Sequence, residues 1–171
     1  MAGLIVVAGL PATGKTSIAR PVARSLGAAF VRIDTIENAL ERSGEASTVE
    51  TAGYMIGYAV ARDQIDNGLL CVAECVNPLR ITRDAWRDVA FERGAWLLDV
   101  EVVCSDSSRH RERVERRAAD IAGLVLPTWQ QVTARVYEPW DRERLVIDTA
   151  VTDIESAVEI VRLRAVALAN C

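Results

Sequence analysis

The chain has a single lysine, Lys15, and every other one of its 20 basic residues is arginine. That lysine closes the run Gly9-Leu10-Pro11-Ala12-Thr13-Gly14-Lys15-Thr16, whose spacing is G-x-x-x-x-G-K-T. Glycines at these positions let successive backbone N–H groups point inward around an anion. A compact ammonium on a flexible stem can follow a phosphate in a way a planar guanidinium cannot. The pattern predicts a phosphate cradle built from Gly9, Pro11, Ala12, Thr13, Gly14, Lys15, Thr16 and Ser17. Lys15 would reach the β- and γ-phosphates, and the Thr16 hydroxyl would ligate Mg²⁺. The ligand implied is a nucleoside triphosphate with Mg²⁺. Leu4 to Ala8 is an apolar, β-branched run of strand length, and Ile18, Ala19, Val22, Ala23 and Leu26 recur at helical spacing up to Gly27. Strand, glycine loop and helix in that order are the context such a cradle needs. Pro21 is an oddity inside that helix, where it removes one hydrogen bond and should kink the axis.

Further polar residues fall at the ends of expected strands. Asp34 follows Phe30-Val31-Arg32-Ile33. It reads either as the N-cap of a short helix or as a carboxylate that accepts the proton of a substrate hydroxyl. Glu74, closing the third strand, would hold the metal together with Thr16 and lie beside the substrate. Asn77, before Pro78, is a turn residue that could also contact substrate. The run Arg109 to Arg117 places Arg109, Arg113, Arg116 and Arg117 on one third of a helix, with a Glu112–Arg116 pair relieving some repulsion. It reads as a lid over phosphates, with Arg113 and Arg117 as the catalytic pair. His110 is expected to be an exposed residue of that helix. Trp129, Tyr137 and Trp140 read equally as core packing or as a wall of the acceptor pocket, with Trp129 and Tyr137 the substrate candidates. Asp148-Thr149 reads either as a neighbour of the adenine or as a turn and helix start.

The remaining pattern alternates strand and helix. Strands are expected at 28–33, 69–75, 96–104 and 145–147. Helices are expected from Thr35 to about Arg42, Thr48 to about Asn67, Pro78 to about Arg93, Ser108 to about Ile121, Pro127 to about Tyr137, and Ile154 to about Asn170. Ser43 to Ser47 is a loop, Ser105-Asp106-Ser107 caps the lid helix, and Asp153 caps the last one. Alternation of this kind means an α/β fold with a parallel sheet covered on both faces, and ligands beyond the carboxyl ends of its strands.

At 171 residues the chain suits one domain, residues 1–171, with the lid at about 105–125. The formal net charge of −4 argues against nucleic acid as a partner. The four cysteines form no disulfide-framework or zinc pattern, since one histidine and no second close cysteine pair accompany them. The apolar N-terminal run leads into the cradle and lacks the basic flank of a signal peptide, and no stretch has membrane-spanning length. The expected location is cytoplasmic, as monomer or homodimer.

The cradle GLPATGKT, the strand-end aspartate in VRIDT, VAECVNPLRITRDAW, CSDSSRHRERVERR and PTWQQVTARVYEPWD together resemble the small P-loop kinases. That group includes chloramphenicol phosphotransferase, zeta-toxin-like kinases and the 5′-hydroxyl kinase domain of polynucleotide kinase. The resemblance runs over nearly the whole chain. It implies a three-layer P-loop NTPase fold, a five-stranded parallel sheet of order 2-3-1-4-5, and transfer of the γ-phosphoryl of ATP to a hydroxyl. It implies Asp34 as general base, Lys15 and Thr16 on phosphates and Mg²⁺, and Arg113 or Arg117 in the lid. Glu74 departs from the aspartate many related kinases have. The expected reaction is ATP-dependent phosphorylation of a small-molecule hydroxyl. The alternatives are a nucleic-acid 5′-hydroxyl kinase, a toxin kinase acting on a nucleotide sugar, and a nucleotide-sensing module without chemistry.

Overall fold

Strand β1 (Gly3–Ala8) is buried along its whole length because its alternate residues serve two different cores. Leu4 and Val6 pack on one face of the sheet, Ile5 and Val7 on the other. The computed structural model that shows this describes residues 2–44 and 49–170. Part of the expected loop from Ser43 to Ser47, and the expected helix start at Thr48, lie outside those residues.

The chain continues through α1 (Lys15–Leu26), β2 (Ala29–Arg32), α2 (Ile33–Ser43), α3 (Val49–Asp66), β3 (Leu70–Glu74) and α4 (Arg80–Phe91). It then forms β4 (Trp96–Val103), α5 (Ser107–Arg116), α6 (Trp129–Ala134), β5 (Leu145–Asp148) and α7 (Ile154–Ala169). The strands pair in parallel in the order β2-β3-β1-β4-β5, as the resemblance implied. Helices α3 and α4 cover one face through Tyr58, Ala61, Trp86 and Val89. Helices α1 and α7 cover the other through Ile18, Val22, Ala157 and Val161. This is the layering that right-handed crossovers between parallel strands produce. α2 lies close on α3 because Gly53 and Gly57 leave no Cβ there; a Cβ at Gly57 would sit 2.3 Å from Ile33 Cδ1.

Two helices are shorter than their periodicity suggests. α5 stops at Arg116 and the chain turns extended at Arg117 (φ −65°, ψ 139°), five residues before the expected end at Ile121. α6 covers only Trp129 to Ala134, opened by a capping box between Thr128 and Gln131. α1 runs through Pro21, which lies on its exposed side. No helix among the described residues is long and apolar enough to cross a membrane.

Asp99 is a charged residue inside β4, 5 % exposed, with one carboxylate oxygen lacking a hydrogen-bond partner. Burial pushes its pKa up to about 6, against the opposing pull of Arg142, Arg83 and Arg87. A folded-state pKa above the ordinary 3.8 means that this proton stabilises the fold fully below that value and ceases to do so as pH rises through about 6. Asp99→Asn is therefore expected to stabilise the protein at pH 8 by about 1–3 kcal/mol and to change little at pH 4. Urea midpoints at the two pH values test this; an equal shift at both would contradict it.

Candidate active site

The loop between β1 and α1 is held in left-handed backbone, with Gly9, Ala12 and Gly14 at φ 145°, 64° and 106°. A Cβ at Gly9 would sit 2.2 Å from the Val102 carbonyl oxygen, so only glycine fits against β4 there. Ala12 holds a conformation an L-residue adopts at a cost of about 1–2 kcal/mol. Gly14 precedes α1 without any side-chain cap, which leaves the first N–H groups of that helix for a ligand.

Lys15 is 7 % exposed and its Nζ donates to the Leu10 carbonyl at 3.0 Å. Loss of hydration lowers its pKa, and the nearby Glu74 and Asp34 carboxylates resist that fall. The Thr16 hydroxyl donates to Glu74 Oε1 at 2.6 Å, while Glu74 Oε2 is buried without a hydrogen bond. Among the described residues, no cluster of three His, Cys, Asp or Glu side chains could hold a metal. A hydroxyl beside one carboxylate with a spare oxygen instead fits Mg²⁺, which takes hard oxygen ligands and draws the rest from phosphates and water.

Asp34 is not an N-cap. α2 begins at Ile33, two residues earlier than expected, with Arg32 in the capping position, so the capping alternative falls away. Asp34 lies 3.7 Å from Arg32 Nη2 and lines the same cavity as Lys15, Thr16, Glu74 and Arg117. That cavity has a volume of about 1590 Å³ and continues between α2, α3 and α4.

The arginines of α5 and its C-terminal end divide. Arg113 lines the cavity, but its guanidinium is engaged by Thr149, at 2.7 Å to Oγ1 and 3.0 Å to the carbonyl oxygen. Thr149 Oγ1 in turn donates to the Thr13 carbonyl at 2.7 Å. Arg113 thus braces the cradle from behind. Arg109 bonds the Ala150 carbonyl, and Arg116 pairs with Glu112 at 2.6 Å as the spacing predicted. Arg117, beyond the helix end, lines the cavity and lies close enough to Lys15 to oppose its protonation. Arg109, Arg113 and Arg116 thus keep the expected helical positions, while Arg117 falls past the end of the helix.

Other expectations are corrected. His110 is buried, not exposed; its Nε2 lies 2.8 Å from the Pro11 carbonyl oxygen, and its ring meets Trp129 edge-on at 5.3 Å. Trp129 and Tyr137 do not line the cavity. Tyr137 and Trp140 instead flank the fully buried Arg83 guanidinium at 5.2 and 4.2 Å, whose N–H groups go to the carbonyls of Asn77, Pro78, Glu138 and Pro139. Asn77 is also fully buried and outside the cavity lining, at φ 52°, with its N–H donated to the Tyr54 hydroxyl at 2.8 Å. Two residues that sequence reasoning passed over do reach the site. Arg32 and Asp120 form a two-armed pair at 2.6 and 3.1 Å. An arginine two positions before Asp34 in an apolar strand was a signal for Arg32; Asp120 offered none.

Residues 4–139 match the family model of the AAA domain, AAA_33. The chain belongs to this family. No curated protein matches the chain in sequence. Three solved structures show what the AAA domain is similar to in fold. One is an unliganded sugar kinase from Janibacter sp. HTCC2649, with TM-score 0.70 and 19 % identity, covering 99 % of this chain and 95 % of that one. Another is a gluconokinase from Sinorhizobium meliloti 1021, with TM-score 0.66, 21 % identity, and coverage of 98 % and 94 %. The third is the Mycobacterium tuberculosis APS kinase CysC in complex with AMPPNP and APS, with TM-score 0.69, 20 % identity, and coverage of 96 % and 98 %. At such identities the likeness establishes the fold of the AAA domain, and its chemistry must be argued from its own residues.

The lowered Lys15 pKa has a measurable consequence. A polyphosphate in the cradle would favour the ammonium, so binding should take up protons at pH values between the free and bound pKa. Calorimetric titration of tripolyphosphate at alkaline pH, in buffers of different ionisation enthalpy, should show net proton uptake; its absence would place the phosphates away from Lys15.

Proposed function

We propose that this AAA domain is an ATP-dependent phosphotransferase that moves the γ-phosphoryl group to a hydroxyl of a small molecule. The observation that carries the reading is the convergence of Lys15, Thr16, Glu74, Asp34 and Arg117 on one cavity. The cradle backbone and Lys15 would hold the β- and γ-phosphates. Thr16 and Glu74 would hold Mg²⁺, which when bound offsets the negative charge on the phosphate oxygens. Asp34 would accept the acceptor's hydroxyl proton as that oxygen bonds to the γ-phosphorus. The bond from phosphorus to the β–γ bridging oxygen breaks with its electron pair left on ADP. Arg117 would face the equatorial oxygens as charge shifts among them. Most of the rate would come from alignment and charge stabilisation.

A small acceptor is favoured by the formal net charge of −4 and by a cavity that runs past Asp34 between α2, α3 and α4. The chain's function would then lie in a water-exposed compartment such as the cytoplasm.

ADP release measured across a panel of hydroxylated metabolites and 5′-hydroxyl oligonucleotides tests the reaction class. With the best small acceptor, Asp34→Asn is expected to lower kcat by about 10²–10⁴-fold with little change in ATP affinity. A near wild-type rate in that variant would remove Asp34 as base. Oligonucleotides outperforming every small acceptor would overturn the acceptor class.

A further inference from the structure

Between α5 and α6 the chain from Arg117 to Thr128 forms no regular element, yet it is tied down at two points. In the amide orientation that satisfies both groups, Asn38 on α2 donates to the Ala122 carbonyl at 3.1 Å and accepts from the Leu124 N–H at 3.2 Å. The stronger tie is Asp120. Its two oxygens meet the two terminal nitrogens of Arg32 at 2.6 and 3.1 Å, and Arg20 adds a third contact at 3.3 Å. Two-armed guanidinium–carboxylate pairs are strong and orientation-specific.

Arg32 does more than hold this strap. Its side chain is 4 % exposed and faces two further carboxylates, Asp34 through Nη2 at 3.7 Å and Glu74 through Nε at 3.6 Å. Arg32 Nε and Glu74 Oε2 are both buried and neither has a hydrogen bond. Opposite charges thus face each other just beyond bonding distance. The guanidinium is a rigid plane, so its orientation toward Asp120 also sets where its other edges stand. Both acids assigned to phosphoryl transfer are within reach of that one plane.

We propose that Arg32 is a positioning residue which couples closure of the 117–128 strap to the placement of Asp34 and Glu74. The proposal rests on the kinase reading for the roles of those two acids, but the strap latch stands independently of it. With Asp120 engaged, the guanidinium holds Asp34 toward the acceptor side of the cavity and leaves Glu74 Oε2 unbonded. With Asp120 released, Arg32 is free to close on Glu74 and draw it away from Thr16. The strap also carries Arg117 at its start, so latching and the placement of that arginine occur together.

The test uses the full chain with Asp120→Asn, Asp120→Glu and Arg32→Lys. Asp120 is partly exposed, so Asp120→Asn should fold normally even where Arg32→Lys does not. Hydrogen exchange of residues 117–128, read by mass spectrometry without any substrate, should rise at least about tenfold in Asp120→Asn and return toward wild type in Asp120→Glu. Unchanged exchange overturns the latch whatever the reaction proves to be. In turnover with the best acceptor, Asp120→Asn and Arg32→Lys should each lower kcat about tenfold or more, with KM for ATP within about twofold. The double variant should be no worse than the poorer single one, since both remove the same coupling. Losses that multiply, or a kcat equal to wild type, overturn the positioning role. A wild-type protein that phosphorylates nothing would sink the kinase reading instead. The positioning claim is then decided by Mg²⁺-dependent binding of a non-hydrolysable ATP analogue. Arg32→Lys should weaken the Mg²⁺ enhancement, and an unaltered enhancement overturns the claim.

Discussion

The arrangement depends on the register of three parallel strands. Val7 of β1 and Arg32 of β2 both pair with Glu74 of β3, so the three stand in one row at the carboxyl edge of the sheet. The cradle, Asp34 and Glu74 are all placed from that row. The cradle begins two residues after Val7, Asp34 stands two residues after Arg32, and Glu74 is the middle member. Side chains alternate faces along a strand, so a slip of one residue would turn Glu74 away from Thr16 and from Arg32. The register itself is secured by apolar alternation: β1 and β3 feed both cores, and any slip would misplace each buried residue at once.

Within that frame, buried charge is balanced locally. Lys15 and Arg32 are both nearly inaccessible, and each is close to Glu74 and Asp34. Desolvating charges is expensive unless opposite charges accompany them. The two cations and two acids meet that requirement in part, and the unbonded Arg32 Nε and Glu74 Oε2 mark where it is incomplete. A polyphosphate with a divalent cation would complete it. The local strain at Ala12 has the same sense: backbone held in a rarely populated conformation where it presents N–H groups to an anion.

Local features were legible in the sequence. The glycine loop, the strand before it and the Gly27 cap after it depend on neighbours a few residues away, and all three elements form where expected. The sheet order followed from resemblance, because strand order is a long-range property. What could not be read were residues whose fate is set by distant partners. The arginine-rich periodicity of α5 continues past Arg116, yet the chain leaves the helix and Asp120 goes to Arg32 on β2. His110 looked like one more surface position, but the Pro11 carbonyl and the Trp129 ring bury it. Tyr137 read equally as core packing or as a pocket wall, and it is Arg83, 54 positions earlier in the chain, that decides for packing. Asp34 lost its capping alternative through a two-residue shift in where α2 starts, which is within the ordinary uncertainty of helix ends.

The central claim is that Lys15 and the amides around it grip a polyphosphate tail. Its most direct measurement is the calorimetric affinity of a non-hydrolysable ATP analogue with Mg²⁺ for the wild-type chain and for Lys15→Ala. The account predicts tight binding to the first and a loss of about 100-fold or more, about 2.7 kcal/mol, in the second. Equal affinities for the two proteins would contradict it.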